Sequence, residues 1–355
     1  MSHTAQIEAA RKAAKGCDST RYDFSSYFRY IQKELDIADY VVANMEFAAA
    51  IKPYTGYPSF SAPPELPMEA KRAGIDLFLC ANNHIADKGR RGIDSTLTLY
   101  ERIGASYTGI QDNRKSKNNP FIARVQGIKV AFVNFTYSTN GFPVEAPYIV
   151  NRMDTTSVKE AISVAKRENC DLIIALPHWG EEYQIFESEN QKLWEEMLYR
   201  WGADVIIGTH PHVVQPIKKI GAKVAKSLHT DFEIFVKSIS MLDIESSKTI
   251  DYYTSYDHIT AYSLGNYISN MSIKNGQIGL LFTLNLCRNL ITGEVSILEP
   301  KVTYLWCCRA GKFEDNFTVL PIDYLLQNRE LFKQDSEYLK MEREWNILKK
   351  ELKIE

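Results

Sequence analysis

The sequence predicts an α/β protein whose sheet is mostly parallel at its centre, and three observations lead there. One phrase recurs four times, as ADYVVANME (38–46), IDLFLCANNH (75–84), CDLIIALPH (170–178) and ADVIIGTH (203–210): an Asp, a short apolar run, then a side chain able to bind metal. Each phrase follows a helical pattern, so the alternation is βα and the strands run parallel. Past residue 278 the chain alternates around the turn TGE, which predicts an antiparallel β pair near the end of the domain.

The four helical patterns are FSSYFRYIQKELDI, PPELPMEAKRAG, TTSVKEAISVAKREN and NQKLWEEMLYRWG, the second and fourth closed by Gly as C-caps are. The runs that follow them are rich in Val, Ile and Leu without alternation, the composition of strands covered on both faces. A fifth strand is expected at GIKVAFVNFTYS (127–138), entered from the turn-like QDNRKSKNNP, and a sixth around ITAYSLGNYIS (259–269). One domain is expected over residues 1–322, with 217–258, rich in Lys, Ser and Asp, as the candidate insertion. Residues 323–355 form a charged helical tail, expected to pack or to be solvated rather than to carry a site.

At 355 residues, 45% hydrophobic and a net charge of −2, the chain can bury one large core or two modest ones, and nothing in its charge points to nucleic acid. Six cysteines without CxxC spacing argue against a zinc ribbon or a disulfide scaffold, so most are expected to be free. The start MSHTAQIEAARKAAKG lacks an apolar leader core, and no run approaches the roughly 18 apolar residues of a membrane span. Neither GxGxxG nor a Walker A sequence occurs, and Ser263-Leu264-Gly265-Asn266 lacks the flanks of a nucleophile elbow.

In open α/β sheets, ligands collect beyond the carboxyl ends of parallel strands. The repeats deliver Asn44 and Glu46, then Asn82, Asn83, His84 and Asp87, then His178, then His210 and His212 to that edge, including four of the seven histidines. Imidazole nitrogen with carboxylate and amide oxygen is the donor mix of Zn²⁺, Mn²⁺ or Fe sites. A bridging carboxylate among histidines suits two ions clamping a phosphoryl group. Taken singly, each residue has a plainer role: His178 as a buried ring bonded to backbone, Asn82 and Asn83 as turn residues, Glu46 as a local cap. His210-Pro211-His212 is harder to explain that way, since i, i+2 spacing in an extended segment puts both rings on one side. Arg90 and Arg91 in KGRRG open a helix beside the Asn-Asn-His loop, as an anion site or a solvated helix end. His229 and His258 are expected at the surface.

These residues resemble the bacterial CapA family, the capsule and poly-γ-glutamate biosynthesis proteins related to calcineurin-like metallophosphoesterases. The resemblance rests on NMEF, NNHIADKGRRGIDSTLTLYERIGASYTG, PHWGEEY, GTHPHVVQP and YSLGNYI, which follow the family's order from about residue 3 to residue 270. It implies a four-layer α/β/β/α sandwich with mixed sheets and a divalent metal site of two ions (Mn, Zn or Fe) between the loop ends of the two sheets. Carried over, Glu46 stands where relatives bridge metals with Asp, Asn83, His178, His210 and His212 complete the ligands, and His84 is the general acid. Asn44, Asn82, Arg90, Arg91, Trp179 and Asn266 are the expected substrate contacts. The family opens on a strand ending in Gly-Asp-x-Met, whereas this chain begins Met1-Ser2-His3 where that Met stands, so the first strand is expected to be missing. After YSLGNYIS many relatives continue with Gln-Arg, and this chain reads NMSIKN.

The expected activity is metal-dependent hydrolysis of a phosphoester in capsule or envelope polymer metabolism, on an acidic polymer or phosphorylated substrate. The alternative is a non-catalytic accessory that binds polymer within a complex of capsule synthesis and export membrane proteins. Vacant coordination positions in an open pocket, against a closed four-ligand site, discriminate the two. The full-length form is expected at the outer face of the cytoplasmic membrane or in the envelope.

Overall fold

A computed structural model describes residues 1–14, 21–114, 119–226 and 252–354. All four repeats form parallel strands, but they divide between two sheets. Val42–Asn44, Leu77–Leu79 and Ser106–Thr108 make a three-stranded parallel sheet with Leu77–Leu79 central. The second sheet has six strands in the order Ile217–Ile220, His258–Ala261, Val205–Ile207, Leu172–His178, Ile128–Thr136, Phe121–Val125. Its inner four strands are parallel and its two outer ones antiparallel.

Period-two side-chain alternation arranges these sheets into four layers. Leu77 and Leu79 of the small sheet meet Val130, Phe132, Leu172, Ile174, Leu176 and Val205 of the large one in a single buried cluster between the sheets. On the other face of the small sheet, Phe78 and Cys80 pack with Leu66, Ala70, Ile93 and Leu97 from helices Glu65–Arg72 and Gly89–Arg102. On the far face of the large sheet, Ala131, Val133, Ile173 and Ala175 pack with Val158, Ile162, Trp194 and Leu198 from helices Thr155–Arg167 and Glu189–Trp201. The result is the expected α/β/β/α sandwich with mixed sheets. Periodicity alone could not divide the strands, because a run buried on both faces looks the same in either sheet.

In three of the four repeats the Asp has a structural task that its spacing did not announce, whereas Asp39 accepts from the Gln126 side chain. Asp76 accepts from the backbone N–H of Val41 at 2.8 Å, Asp171 from Lys129 at 2.7 Å and Asp204 from Ile173 at 2.7 Å. Each carboxylate closes the entry of its own strand onto the neighbouring strand, where the ladder leaves an N–H unpaired.

Two larger antiparallel sheets follow, Ile278–Thr283, Lys301–Cys308 and Thr318–Pro321 in one, and Lys223–Lys226, Tyr252–Tyr256, Val295–Leu298 and Leu286–Arg288 in the other, beside two-stranded pairings of Ala48–Ala49 with Ser61–Ala62 and of Ile110–Asp112 with Tyr148–Val150. The expected TGE hairpin is the pairing of Leu286–Arg288 with Val295–Leu298. The described parts of 217–258 are strands of these sheets and of the six-stranded sheet, and residues 227–251, with His229, lie outside the described residues. His258 is half-buried and stacks on Tyr199 at 4.2 Å between ring centres, so it is no surface residue. Helix Asp335–Leu352 buries Tyr338, Met341, Trp345 and Leu348 in one cluster with Ile278, Leu280 and Trp306. Cys80, Cys170, Cys287, Cys307 and Cys308 are free thiols, and Cys17 lies outside the described residues.

Candidate metal centre

The strand ends of both sheets meet at Glu46. It is 6% exposed, two residues past the end of Val42–Asn44, and its Oε1 has no hydrogen-bond partner. That atom lies 3.8 Å from Nε2 of His178 and 3.7 Å from Nε2 of His212. Burial pushes the Glu46 carboxyl up to about 7, and the amino group of Met1 and His84 pull it partly back. Without a cation the site therefore favours a neutral Glu46, the reverse of what a metal ligand needs.

The three histidines are held differently, His178 through both ring nitrogens and His212 through one. His178 ends strand Leu172–His178, with Nδ1 at 2.9 Å from Thr209 Oγ1 and Nε2 at 2.9 Å from Asn83 Oδ1. Behind His212, Asn266 donates to the carbonyls of His212 at 3.1 Å and Gly276 at 3.0 Å, which fixes the orientation of its amide. Its Oδ1 then accepts from His212 Nδ1 at 3.1 Å, so the Nε2 lone pair is left for Glu46 and, at 3.9 Å, for Glu182 Oε1. His210 stands with its ring centre 4.9 Å from His178, and its buried Nδ1 has no hydrogen-bond partner. Desolvation holds His210 at about 4 and His212 at about 3, and drives His178 well below the usual range, so all three rings are neutral at physiological pH.

The His-Pro-His segment is not extended. His210 and His212 have φ of 105° and 60°, a left-handed backbone that non-glycine residues adopt rarely and that functional sites often retain. The two rings converge, 5.7 Å apart, because the chain bends there and not because of strand periodicity.

Around Glu46 the asparagines support more than they present. Asn44 donates to Glu46 Oε2 at 3.3 Å. Asn82 donates to the Met45 carbonyl at 3.0 Å and accepts from the His84 N–H at 3.1 Å, closing the Asn-Asn-His turn. His84 Nδ1 bonds to Asp87 Oδ2 at 2.8 Å, which leaves Nε2 as its free ring nitrogen.

The expected substrate contacts take different places. Trp179 is fully buried in the hydrophobic cluster under the helices, with its indole N–H on the Tyr262 carbonyl at 2.9 Å, and offers nothing to a ligand. Asn266 is a buried support of His212, and Asn82 a buried support of the Asn-Asn-His turn. Arg90 and Arg91 are exposed on the first turn of helix Gly89–Arg102, Arg90 facing Asp94 at 3.8 Å.

Two residues escaped the sequence reading. Glu182 shares a donor cluster with His210 and His212, as Glu46 does with His178 and His210. Its signal was its place in PHWGEEY, four residues past a strand-end histidine. Tyr137 lies 4.5 Å from His210, ring to ring, and follows the strand Ile128–Thr136 directly, at the same sheet edge.

Residues fit for a divalent cation are thus in place: a buried unpartnered carboxylate oxygen, three neutral imidazoles and an amide oxygen. Residues 1–271 match the family model described as bacterial capsule synthesis protein PGA_cap. The chain is 31% identical over 207 residues to the capsule biosynthesis protein CapA of Bacillus anthracis, across 55% of this chain and 50% of the relative. It is 28% identical over 210 residues to the PGA biosynthesis protein CapA of Bacillus subtilis (strain 168), across 54% of this chain and 52% of the relative. The chain spans about half the length of the curated relatives it matches. It is also similar to the calcineurin-like phosphoesterase YfkN from Bacillus subtilis, with a TM-score of 0.45, 15% identity and 96% of each chain covered. The family match covers well over half of the sequence and takes in Glu46, the Asn-Asn-His turn and every histidine of the centre, so this chain belongs to the bacterial capsule synthesis family PGA_cap.

Proposed function

We propose that this chain is a metal-dependent phosphoester hydrolase of capsule or envelope polymer biosynthesis. One observation carries the reading: the buried Glu46 Oε1, without a hydrogen-bond partner, stands within 4 Å of Nε2 of both His178 and His212. A protein that only needed to bury these groups would pair them, since an unsatisfied buried oxygen costs about 1–3 kcal/mol.

Glu46, Asn83, His178 and His210 would hold one divalent ion, and Glu46, His212 and Glu182 a second. When bound, such ions polarise a phosphoryl group and supply a nucleophile at neutral pH. The chain's own residues do the rest. Thr209 and Asn266 set the ring nitrogens of His178 and His212, and Asn44 steadies Glu46. His84, with Nδ1 fixed by Asp87, gives a proton from Nε2 to the departing alkoxide oxygen. Phe60, fully buried and edge-on to His84 at 4.6 Å, shields that ring from water on its inner side.

The substrate is a phosphorylated polymer or precursor, the site of action the envelope, and membrane proteins of capsule synthesis and export its partners. Support comes from the family and from the capsule names of its Bacillus relatives. Among the described residues no helix is long and apolar enough to cross a membrane. The test is reconstitution with Mn²⁺ or Zn²⁺, elemental analysis, and hydrolysis of bis-p-nitrophenyl phosphate. Turnover that appears only in metal-loaded protein supports the reading; full metal occupancy with no turnover on mono- or diesters favours an accessory role.

A further inference from the structure

Asn83 can serve a cation only if its amide faces one way. The two ends of that amide are alike in shape and opposite in chemistry: Oδ1 accepts or ligates, whereas Nδ2 only donates and repels a cation. The group that settles the choice stands on another loop. Asn83 Nδ2 donates to Oδ1 of Asn140 at 3.3 Å, which turns Asn83 Oδ1 to His178 Nε2 at 2.9 Å. The phenol of Tyr137, on the same loop, also bonds the Asn83 side chain.

The loop is anchored at both ends. It follows strand Ile128–Thr136 directly, and the Tyr137 N–H donates to the His178 carbonyl at 3.0 Å, so it starts against a ligand of the centre. Arg152 donates from Nη1 to Thr139 Oγ1 at 3.0 Å and from Nη2 to the Tyr137 carbonyl at 3.3 Å. Thr139 and Phe142 exchange two bonds, from the Phe142 N–H to the Thr139 carbonyl at 2.9 Å and from the Thr139 hydroxyl to the Phe142 carbonyl at 2.8 Å. Within that frame the Asn140 N–H reaches Ser138 Oγ at 3.0 Å, and Asn140 takes φ 51°. Glycine meets a left-handed backbone with least strain, as Gly141 does next to it at φ 76°. What glycine would not supply at 140 is the oxygen that faces Asn83. Asn140 is exposed while Asn83 is 2% exposed, so a surface side chain reaches inward to a buried amide.

We infer that Asn140 is a positioning residue of the centre: its side-chain oxygen holds Nδ2 of Asn83 and so keeps Asn83 Oδ1 turned to the cation and to His178. This deepens the proposed metal centre and rests on it. Without the acceptor, the Asn83 amide is free to turn its donor end inward, where it opposes a cation. Asn140 touches neither substrate nor ion and acts only through Asn83.

Two substitutions separate the oxygen from the backbone. Asn140→Gly keeps the left-handed conformation and removes the acceptor; Asn140→Asp keeps an acceptor. Manganese affinity, measured by competition with a chelator, is expected to fall about 10-fold in Asn140→Gly, at the low end for an outer partner of a ligand because Tyr137 remains, and to return in Asn140→Asp. In an Asn83→Ala background Asn140→Gly should have no further effect. Manganese binding by Asn140→Gly at the wild-type affinity overturns the inference, as does an equal loss in Asn140→Asp or an undiminished effect without Asn83. A second readout needs no metal. With Asn83 Oδ1 as acceptor, His178 carries its ring proton on Nε2 in the metal-free protein, and nitrogen-15 NMR of the imidazole reads that tautomer. Wild type and Asn140→Asp should show the Nε2–H form and Asn140→Gly a shift toward Nδ1–H. A His178 tautomer that is the same in wild type and Asn140→Gly overturns the inference whether or not the protein binds manganese. Wild type that binds no manganese, with the tautomer shift present, sinks the metal reading alone.

Discussion

Glu46 ties metal binding to stability through its own proton. Its folded value of about 7 lies above the 4.5 of an ordinary glutamate, so the neutral form favours the fold. That contribution is whole below pH 4.5 and is lost as the pH rises through 7, on the order of 3 kcal/mol in all. The imidazoles run the other way: held near 4 for His210 and 3 for His212, they favour the fold above 6.5 and lose that contribution as the pH falls toward those values. Glu46→Gln removes the first effect alone. The metal-free variant should therefore melt higher than metal-free wild type at pH 8 and match it near pH 5, and manganese should raise the melting temperature of wild type only. Equal stabilisation of both by manganese would show that Glu46 is no ligand. His84 separates from the ligands in a second experiment: His84→Ala should lower turnover of a diester by roughly 10²–10⁴-fold while metal content stays near wild type. Metal lost in proportion to activity would make His84 a ligand instead.

At the scale of elements, the repeated phrase was legible because each of its parts has one physical purpose. The apolar run makes a strand, the polar end reaches the carboxyl edge, and in three of the four repeats the Asp closes the strand's entry onto its neighbour. Strand existence and direction followed from the sequence; the division of the strands into two sheets did not, since Leu77 and Leu172 have the same apolar surroundings whichever sheet they join. The ligand histidines were legible as types at strand ends, yet the bend that converges His210 and His212 was hidden, because left-handed φ values at non-glycine residues leave no compositional mark. Trp179 misled for the opposite reason: adjacency to His178 placed it near the centre, while strand alternation turns it to the helical face. The Asp clamp is testable at Asp204, which serves Ile173 and no site residue. Asp204→Ala leaves a buried N–H without a partner and should cost about 1–3 kcal/mol in urea denaturation. Its metal content should be unchanged; a fall in metal content would mean that the strand entry governs the centre as well.

For the molecule as a whole, the segment beyond the family match reaches the centre through a chain of hydrogen bonds. Residues 1–271 match the family, and helix Asp335–Leu352 lies outside that span. Glu344 on this helix accepts from the Asn275 N–H at 3.0 Å, the next carbonyl, Gly276, accepts from Asn266 at 3.0 Å, and Asn266 Oδ1 orients His212 Nδ1 at 3.1 Å. The helix is fastened by Glu337, which accepts from Gln277 at 2.9 Å and from the Trp306 indole at 3.2 Å, and by the buried Trp345. Of the two places its composition allowed, packed or solvated, the helix takes the first: it is a wall of the core and a distant support of one metal ligand. Supports of this kind are commonly worth 10–100-fold in metal affinity. Asn266→Ala should therefore weaken manganese binding by about that factor, and Glu344→Ala, one bond further away, by a smaller factor in the same direction, both measured by competition with a chelator. Trp345→Ala controls for stability: it opens a cavity in the same helix at a cost of about 3–5 kcal/mol and touches no link of the chain. If Trp345→Ala weakens manganese as much as Glu344→Ala does at equal folded fraction, the coupling is general loosening of the fold. If Glu344→Ala alone weakens it, the hydrogen-bonded path from the tail sets the orientation of His212.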